Sequence, residues 1–377
     1  MLLHFILAAL PLVTGLIVPR PNGTYSVGTH ITEFVDDSRF INGTHRRIMT
    51  TSFFPTGYHS DCLPYLTPYM PKLTADYNAA VYSQLLGATI PNATLEQLQL
   101  QVCNSTCGDK RLGHRKWPLT LFSPGLGASR QLYNALAEQF AAMGYIVVTI
   151  DTPLQADIIE YPDGSYLLAP GIGTDAQLNA ALPDRVQDII LVKNKLLTGA
   201  GLPSPIKPDA NRIAVWGHSF GGAAAAQAAL QDSSFKAGID FDGTMYGSVV
   251  TTGITQPFLI FAHDNQTLPG TISSWNSFLQ ASPDKSNKLE LSLNGSVHNT
   301  FSDAPLLADL AGLSGLPGID AALGSLDGRR VLVIVAAYTN AFFQYAFHGA
   351  AKVPELLKGP SAAFPEVDFL VGLGQVA

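Results

Sequence analysis

The sequence has few charged residues for its length. Of 377 residues, 14% are Asp, Glu, Lys or Arg and 47% are hydrophobic, so the chain can bury a large core and disorder is not expected. Lys and Arg number 22 against 29 Asp and Glu, which gives a formal net charge of −7. Because a surface that binds nucleic acid needs a basic stripe to meet the phosphates, we expect no nucleic-acid partner.

Cysteine is also scarce, with Cys62, Cys103 and Cys107 in the whole chain. Three cysteines allow one disulfide and leave one thiol over. The spacing of Cys103 and Cys107 is too wide for a CxxC redox motif, and no neighbouring His or Cys completes a zinc site. We expect a local Cys103–Cys107 bridge, with Cys62 paired to either of them as the alternative.

Beyond the N-terminus, no apolar run approaches the length of a transmembrane helix, so we expect no transmembrane segment. Residues 1–15 are apolar but too short to span a bilayer, and small residues at Val13 and Gly15 suit cleavage after Gly15. We therefore predict a signal peptide over 1–15 and a single domain over 16–377. Asn-x-Ser/Thr sequons suit a secreted, extracellular glycoprotein. They begin at Asn22, Asn42, Asn92, Asn104, Asn265 and Asn294.

The order of secondary-structure patterns predicts an α/β fold. Two strands (30–36 and 46–54) precede residues 55–113, a stretch rich in Pro, Tyr and Thr that we predict to be a loop-rich insertion with a weak helical patch at 95–101. Strands then alternate with helices, which indicates a mostly parallel central sheet flanked by helices. The predicted strands are 118–122, 145–151, 212–216, 237–242, 257–262 and 288–293; the predicted helices are 132–143, 183–198, 223–230 and 329–347.

The segment Gly217-His218-Ser219-Phe220-Gly221 joins a predicted strand to an alanine-rich predicted helix. Strand, G-x-S-x-G, helix is the context of a nucleophile elbow, in which the serine takes a strained backbone conformation. Gly217 and Gly221 leave the space that the tight turn needs, because they have no Cβ. The helix N-terminus beside Ser219 stabilises a developing oxyanion. The pattern predicts a serine hydrolase with Ser219 as nucleophile.

A serine nucleophile needs a general base and an acid that orients the base. In the chain order Ser, acid, His, the base follows the last core strand, and His298 does so. Activity should then fall at acid pH, where a protonated imidazole cannot accept a proton. Two residues are candidates for the acid: Asp242 ends the strand after the elbow helix, and Asp264 follows the next strand.

Four segments together resemble the platelet-activating factor acetylhydrolase family, which comprises phospholipases that act on short or oxidised acyl chains. They are Phe-Ser-Pro-Gly-Leu-Gly-Ala-Ser-Arg at 122–130, Gly-His-Ser-Phe-Gly-Gly at 217–222, Gly-Ile-Asp-Phe-Asp-Gly at 238–243 and Gly-Ser-Val-His at 295–298. The resemblance covers residues 46–306 and implies an α/β-hydrolase fold. In that family the acid lies on the strand directly after the elbow, which favours Asp242 over Asp264.

The resemblance also implies the oxyanion hole. Its two donors are expected to be the backbone N–H groups of Leu126, in a glycine-flanked loop, and of Phe220, directly after the nucleophile. The family often has His-Gly where this chain has Pro124-Gly125, and Pro124 has no N–H to add a third donor.

These features predict a secreted serine esterase that works through an acyl-enzyme and needs no metal or organic cofactor. The resemblance implies a lipid substrate, the short sn-2 acyl ester of a phospholipid such as platelet-activating factor, with transient contact to a lipid interface. A cutinase-like polyesterase or a general short-chain carboxylesterase, acting on a small-molecule ester, is the alternative. A catalytically silent binding protein is disfavoured, because nucleophile, acid and base are present in order. The oligomeric state is left open.

One helical pair lies outside this scheme. Arg185 and Asp188 are three residues apart on the predicted helix 183–198, a spacing that predicts an ion pair on the surface.

Overall fold

The computed structural model describes residues 16–58, 62–86, 90, 93–104, 115–266, 270–315, 317–349 and 352–376. The predicted signal peptide (1–15), Asn92 and Cys107 lie outside the described residues, and what was predicted for them stays a prediction.

Within the described residues, the chain alternates strands and helices over most of its length. The strands are β1 (Tyr25–Ile41), β2 (Thr44–Tyr58), β3 (Tyr65–Pro68), β4 (Gln99–Val102), β5 (Lys116–Ser123), β6 (Ile146–Ile150), β7 (Ile158–Glu160), β8 (Tyr166–Leu168), β9 (Lys207–His218), β10 (Phe235–Phe241), β11 (Phe258–His263), β12 (Lys288–Leu293) and β13 (Val367–Val371). The helices are α1 (Lys72–Leu86), α2 (Asn134–Ala142), α3 (Asp175–Leu197), α4 (Phe220–Gln231), α5 (Val249–Thr252), α6 (Thr271–Ala281), α7 (Ala304–Leu310), α8 (Pro317–Leu323) and α9 (Gly328–His348).

One large sheet positions the site, with the strand order β1-β2-β6-β5-β9-β10-β11-β12-β13. The six strands from β6 to β12 in that order are parallel, whereas β1, β2 and β13 pair antiparallel at the two edges. Every residue of β6 is buried, as its mostly apolar sequence predicts for a strand covered on both faces. The predicted α/β-hydrolase architecture, with a mostly parallel sheet flanked by helices, is confirmed.

Each face of the sheet has its own hydrophobic core. Side chains of α2 and α9 pack on one face, and those of α3, α4 and α6 pack on the other. On the first face, the Trp216 ring lies 4.9 Å from the Phe122 ring, 4.8 Å from Phe140 and 5.8 Å from Phe343, each edge to face. On the second, the small alanines of α4 let that helix lie close to β9 and hold the elbow against the sheet.

One helical stretch, residues 318–348, is long and apolar enough to cross a membrane by length and composition alone. In the structure, 56% of its most apolar 18-residue window is buried. Ile334, Phe342 and Phe343 of α9 are fully enclosed by the core. A helix that covers a sheet needs such an apolar side, so core packing accounts for this composition.

The predicted insertion over 55–113 has more regular structure than its composition indicates. The second strand continues to Tyr58, and α1 occupies the middle of the region. The helical patch predicted at 95–101 is wrong, because its last residues form β4, which pairs antiparallel with β3. Leu100 and Val102 are buried and lie two residues apart, which is the spacing of side chains on one face of a strand. The first turn of α1 is bound by a residue that is distant in the sequence: Thr74 donates its N–H and its hydroxyl to Glu160 Oε2, each at 2.7 Å.

The disulfide joins Cys62 to Cys103, so the expected local bridge from Cys103 to Cys107 is wrong. The antiparallel pairing of β3 with β4 places Tyr65 opposite Val102. The two cysteines just outside that ladder therefore meet, with their Cα atoms 6.2 Å apart across 41 residues of chain. The pairing of β3 with β4, and not closeness along the sequence, therefore determines which cysteine bonds with Cys103.

Candidate active site

The elbow places Ser219 at the carboxyl end of β9, directly before α4. Ser219 has φ 57° and ψ −127°, in the left-handed region that L-residues rarely adopt. Its N–H donates to the Phe241 carbonyl oxygen at 2.8 Å and ties the turn to the neighbouring strand. A Cβ on Gly221 would lie 1.9 Å from the Ser123 carbonyl oxygen, and one on Gly217 would lie 2.4 Å from the backbone of Gly221. Only glycine fits at these two positions.

Asp242 follows β10 and, like Ser219, has a positive φ, 60°. Its fully buried carboxylate reaches His298, whose Nδ1 lies 2.6 Å from Oδ2. His263 Nδ1 lies 2.6 Å from the same oxygen, and Gln266 Nε2 donates to Oδ1 at 2.7 Å. Burial opposes ionisation, but the hydrogen bonds with His263 and His298 outweigh it and lower the pKa of Asp242 to about 2. Asp242 is therefore an anion at neutral pH.

His298 begins the short 3₁₀ turn 298–301 that follows β12, and its side chain is one-third exposed. The alternative acid, Asp264, belongs to a different set of contacts. Its Oδ2 accepts from the Gly295 N–H at 3.1 Å, and its Oδ1 accepts from Asn265 at 2.7 Å. Asp264 thus braces the loop before His298, while Asp242 contacts the imidazole itself.

The loop after β5 (residues 123–127, here the donor loop) passes beside the nucleophile. A Cβ on Gly125 would lie 3.5 Å from the Ser219 Cβ, so the missing side chain allows this close approach. Among the described residues, the N–H groups of Leu126 and Phe220 have no acceptor. Two unpaired amides beside a serine are what an oxyanion hole requires.

Arg185 is fully buried beneath the donor loop, which makes the predicted surface pair with Asp188 wrong. Arg185 Nη1 donates to the Pro124 carbonyl oxygen at 2.6 Å and to Ser123 Oγ at 3.1 Å, and burial lowers the pKa of this arginine to about 10. Asp188 pairs with other cations: Arg46 Nη2 lies 2.7 Å and Arg39 Nη2 lies 2.6 Å from its carboxylate. Arg185 and Asp188 each bind residues that are distant in the chain, and the spacing of residues along a helix does not reveal such partners.

A buried relay joins the donor loop, the elbow and the turn that carries His298. The Gly125 N–H donates to Tyr133 Oη at 3.2 Å, and Tyr133 Oη lies 2.8 Å from His218 Nδ1. On the other side of the ring, His218 Nε2 donates to the His298 carbonyl oxygen at 2.8 Å. Burial, followed by electrostatic repulsion from the His298 imidazole, lowers the pKa of His218 to about 3, so the His218 ring is neutral and Tyr133 donates to it.

Sequence reasoning assigned no role to Tyr133, His218, His263 or Gln266. His218 lies inside the G-x-S-x-G pattern. That position indicates that His218 is near Ser219, but it does not indicate which groups His218 binds. Tyr133 lies in a 3₁₀ turn before α2, and His263 and Gln266 lie at the end of β11; only the packing of these elements brings the three near the site.

We expect Tyr133→Phe to lower kcat on p-nitrophenyl acetate about 5–10-fold and stability by about 1–3 kcal/mol, because a buried His218 Nδ1 and the Gly125 N–H lose their shared partner. Steady-state kinetics and urea unfolding measure the two effects. Tyr145→Phe is the matched control, since Tyr145 Oη binds Asn340 and Gln344 near the amino end of β6. It should lose stability and keep kcat; equal kcat losses in both variants would contradict the relay.

Asp242, His263 and His298 are also a set of side chains that could hold a metal ion, with ligand atoms within 4.8 Å of one another. In the structure, both Nδ1 atoms lie at hydrogen-bond distance from one carboxylate oxygen. That geometry places a proton on each Nδ1, where a metal would need a lone pair. The residues therefore fit a hydrogen-bonded cluster, and no step below uses a metal.

The elbow serine, the Asp242–His298 pair and the unpaired amides at the carboxyl edge of a parallel sheet define an ester hydrolase of the α/β-hydrolase fold. The chain belongs to the family "Platelet-activating factor acetylhydrolase, isoform II", whose model matches residues 13–161 and 206–315. The family resemblance stated from the motifs is thereby confirmed.

Relatives with known names support the same class. The chain is 30% identical to the probable 1-alkyl-2-acetylglycerophosphocholine esterase of Arthroderma benhamiae, over 95% of this chain and 94% of that protein. It is 30% identical to cutinase est1 of Thermobifida alba, over 47% of this chain and 51% of that protein. Among solved structures, a ferulic acid esterase from Streptomyces cinnamoneus superposes with a TM-score of 0.76 and 27% identity, over 94% of this chain and 99% of that one.

Proposed function

We propose that the protein hydrolyses the short sn-2 acyl ester of a phospholipid, such as 1-alkyl-2-acetylglycerophosphocholine, through an acyl-enzyme on Ser219. The observation that carries the catalytic part is the 2.6 Å hydrogen bond between Asp242 Oδ2 and His298 Nδ1 at the same sheet edge as the elbow serine. With Nδ1–H bound to the carboxylate, the other ring nitrogen of His298 is the one that carries a lone pair. The imidazole is therefore set up to accept a proton.

In the proposed mechanism, His298 Nε2 takes the hydroxyl proton as Ser219 Oγ attacks the ester carbonyl carbon. The N–H groups of Leu126 and Phe220 donate to the carbonyl oxygen as it becomes an oxyanion, and the dipole of α4 adds to that stabilisation. His298 then gives its proton to the departing alcohol oxygen. Water, deprotonated by His298, then attacks the acyl carbon; the bond from Ser219 Oγ to that carbon breaks, the acid leaves and His298 returns the proton to Oγ. Asp242 stabilises the imidazolium in both halves.

The phospholipid part of the proposal is supported by the family and by the Arthroderma benhamiae relative, whose name specifies such a substrate and which aligns over nearly the whole chain. Contact with a lipid interface is supported by exposed apolar side chains between β2 and α1. Leu63 is 94% exposed, and Tyr65 and Leu66 are about half exposed. A lipid-acting enzyme needs apolar surface of this kind, which an enzyme for soluble esters does not.

A second candidate, a carboxylesterase for soluble or polymeric esters, is favoured by one observation. The solved ferulic acid esterase matches 94% of this chain, so its fold and this one differ little in extent. The chemistry at Ser219 would be the same in both cases, and only the groups flanking the scissile ester would differ.

A substrate series distinguishes the two candidates. We expect kcat/KM to be at least ~10-fold higher for a 2-acetyl than for a 2-hexadecanoyl glycerophosphocholine, because a site built for a short acyl group leaves a long chain in contact with water. The 2-acetyl lipid should also exceed ethyl ferulate and a soluble polyester oligomer. Ser219→Ala measured on every substrate gives the background. Faster turnover of ethyl ferulate or the polyester oligomer would favour the second candidate, a carboxylesterase for soluble or polymeric esters.

We also propose that the protein is secreted and glycosylated. The predicted signal peptide and the sequons support this, since Asn22, Asn42, Asn104 and Asn265 are exposed. Asn294 differs, because its side-chain amide is half-buried and donates to Asp368 Oδ2 at 3.0 Å, which disfavours a glycan there. Peptide mass mapping of protein from the culture medium tests the mature N-terminus and each sequon; protein retained in cells with residues 1–15 intact would contradict export.

A further inference from the structure

His263 and Gln266 lie at the carboxyl end of β11, the strand next to the one that ends at Asp242. Among the described residues, three of the four donors to the Asp242 carboxylate come from this short segment. The His263 N–H donates to Oδ1 at 3.0 Å, its Nδ1 lies 2.6 Å from Oδ2, and Gln266 Nε2 donates to Oδ1 at 2.7 Å. The fourth donor is His298.

We infer that His263 is a positioning residue for the proposed reaction, which with Gln266 holds the Asp242 carboxylate in the orientation that presents Oδ2 to His298. The inference rests on the proposed function, because it assigns His263 a role in supporting the Asp242–His298 pair. His263 touches neither the substrate nor the reacting atoms in this scheme; it acts through Asp242.

The carboxylate needs such a clamp because of where the backbone places it. Asp242 has a positive φ and lies just beyond the sheet ladder, so its own main chain is not secured by strand pairing there. Rotation about the Cβ–Cγ bond would exchange Oδ1 for Oδ2 or turn both away from His298. The backbone and ring N–H groups of His263 each bind a different oxygen, and this two-point contact opposes the rotation.

The sheet sets the position of the clamp. β10 and β11 pair in parallel, and their last pair is Phe241 opposite Phe261, so Asp242 and His263 follow that pair by one and two residues at the same edge of the sheet. The side chain of His263 is about 10% exposed and the carboxylate is fully buried, which limits competition from water. The segment that contains Asp264, the alternative acid, thus supplies His263 and Gln266, which hold Asp242 against His298.

Sharing Oδ2 between two imidazoles has a consequence for pH dependence. When His263 stops donating, His298 alone faces that oxygen, and the carboxylate stabilises a positive charge on the His298 ring more strongly. The acid limb of the kcat/KM profile should then move to higher pH. Among the described residues, His218 and Asp240 interact electrostatically with this pair, and Asp264 follows His263 in the chain; the His263 variants leave all three in place.

The test compares His263→Leu, which removes the ring donor, with His263→Asn, whose side-chain N–H₂ occupies nearly the position of Nδ1. For His263→Leu, kcat on p-nitrophenyl acetate should fall about 10–100-fold with KM within about twofold, because a donor to a buried anion is lost. His263→Asn should recover kcat to within about fivefold of the parent and restore its acid limb. Proton NMR should show two downfield imidazole N–H resonances in the parent and one in both variants.

Thermal unfolding of each variant separates positioning from folding. If His263→Leu does not fold, Gln266→Leu removes the donor to Oδ1 instead, and kcat should fall about 3–10-fold with KM unchanged. Unchanged kcat in the folded variant, or equal losses in His263→Leu and His263→Asn, would overturn the inference. Two downfield resonances in His263→Leu would overturn it as well. The NMR result needs no turnover, so it stands apart from Ser219→Ala, which tests the proposed function.

Discussion

Ser219→Ala is expected to lower kcat on p-nitrophenyl acetate and on the 2-acetyl phospholipid at least ~10⁴-fold, since no other group then forms the acyl-enzyme. Alanine keeps the Cβ, so the strained backbone at φ 57° is unchanged and the variant isolates the hydroxyl. The remaining rate would come from the unpaired amides of Leu126 and Phe220, which still bind an oxyanion formed by attacking water.

A fluorophosphonate probe measures the same prediction without substrate. The parent protein should be labelled at one site, and Ser219→Ala should not be labelled. Ser248→Ala is the control, because Ser248 Oγ is bound by Gln227 Nε2 at 3.1 Å, away from the elbow. It should be labelled like the parent. Full turnover or persistent labelling in Ser219→Ala would exclude the proposed nucleophile.

The second large effect concerns the two aspartates that the sequence left as alternatives. Asp242→Asn should lower kcat about 10⁴-fold, because an amide places a donor or a weaker acceptor against His298 Nδ1–H and favours the wrong tautomer. Asp264→Asn should lower kcat less than about 10-fold, because the amide oxygen can still accept from the Gly295 N–H. Kinetics of both variants at pH 7.5 measure the difference; equal losses would contradict the assignment of Asp242.

The pH dependence separates these groups further. The pKa of Asp242 is lowered to about 2 and that of His218 to about 3, so neither changes charge between pH 5 and pH 9. An acid limb of activity in that range therefore reports another group, and the proposed base is His298. Because the folded-state pKa of Asp242 is lowered, its ionised form stabilises the fold above about pH 4, and that contribution is lost as pH falls toward 2. Asp242→Asn should lack this part of the acid destabilisation.

Local patterns predicted the elbow and the strands that carry it. The run from strand through Gly217 and Gly221 to an alanine-rich helix contains its own steric reason, because no larger residue fits at either glycine. The buried parallel strands were equally predictable from the sequence, since a strand covered on both faces needs a mostly apolar run. The region between β2 and β5 was harder to predict, because β3 pairs with β4 across the intervening helix α1, and Glu160 beyond the region binds the start of α1.

The sequence by itself determined the α/β class and the ester-hydrolase family, and it predicted the roles of Ser219 and His298 at strand ends. Only the tertiary structure decided that Asp242 contacts His298, that Cys62 joins Cys103, that Arg185 lies under the donor loop and that His263 clamps the carboxylate. The reason is the order of strands in the sheet. Asp242 lies 21 residues from His263 and 56 from His298, and neighbouring parallel strands place all three at one edge.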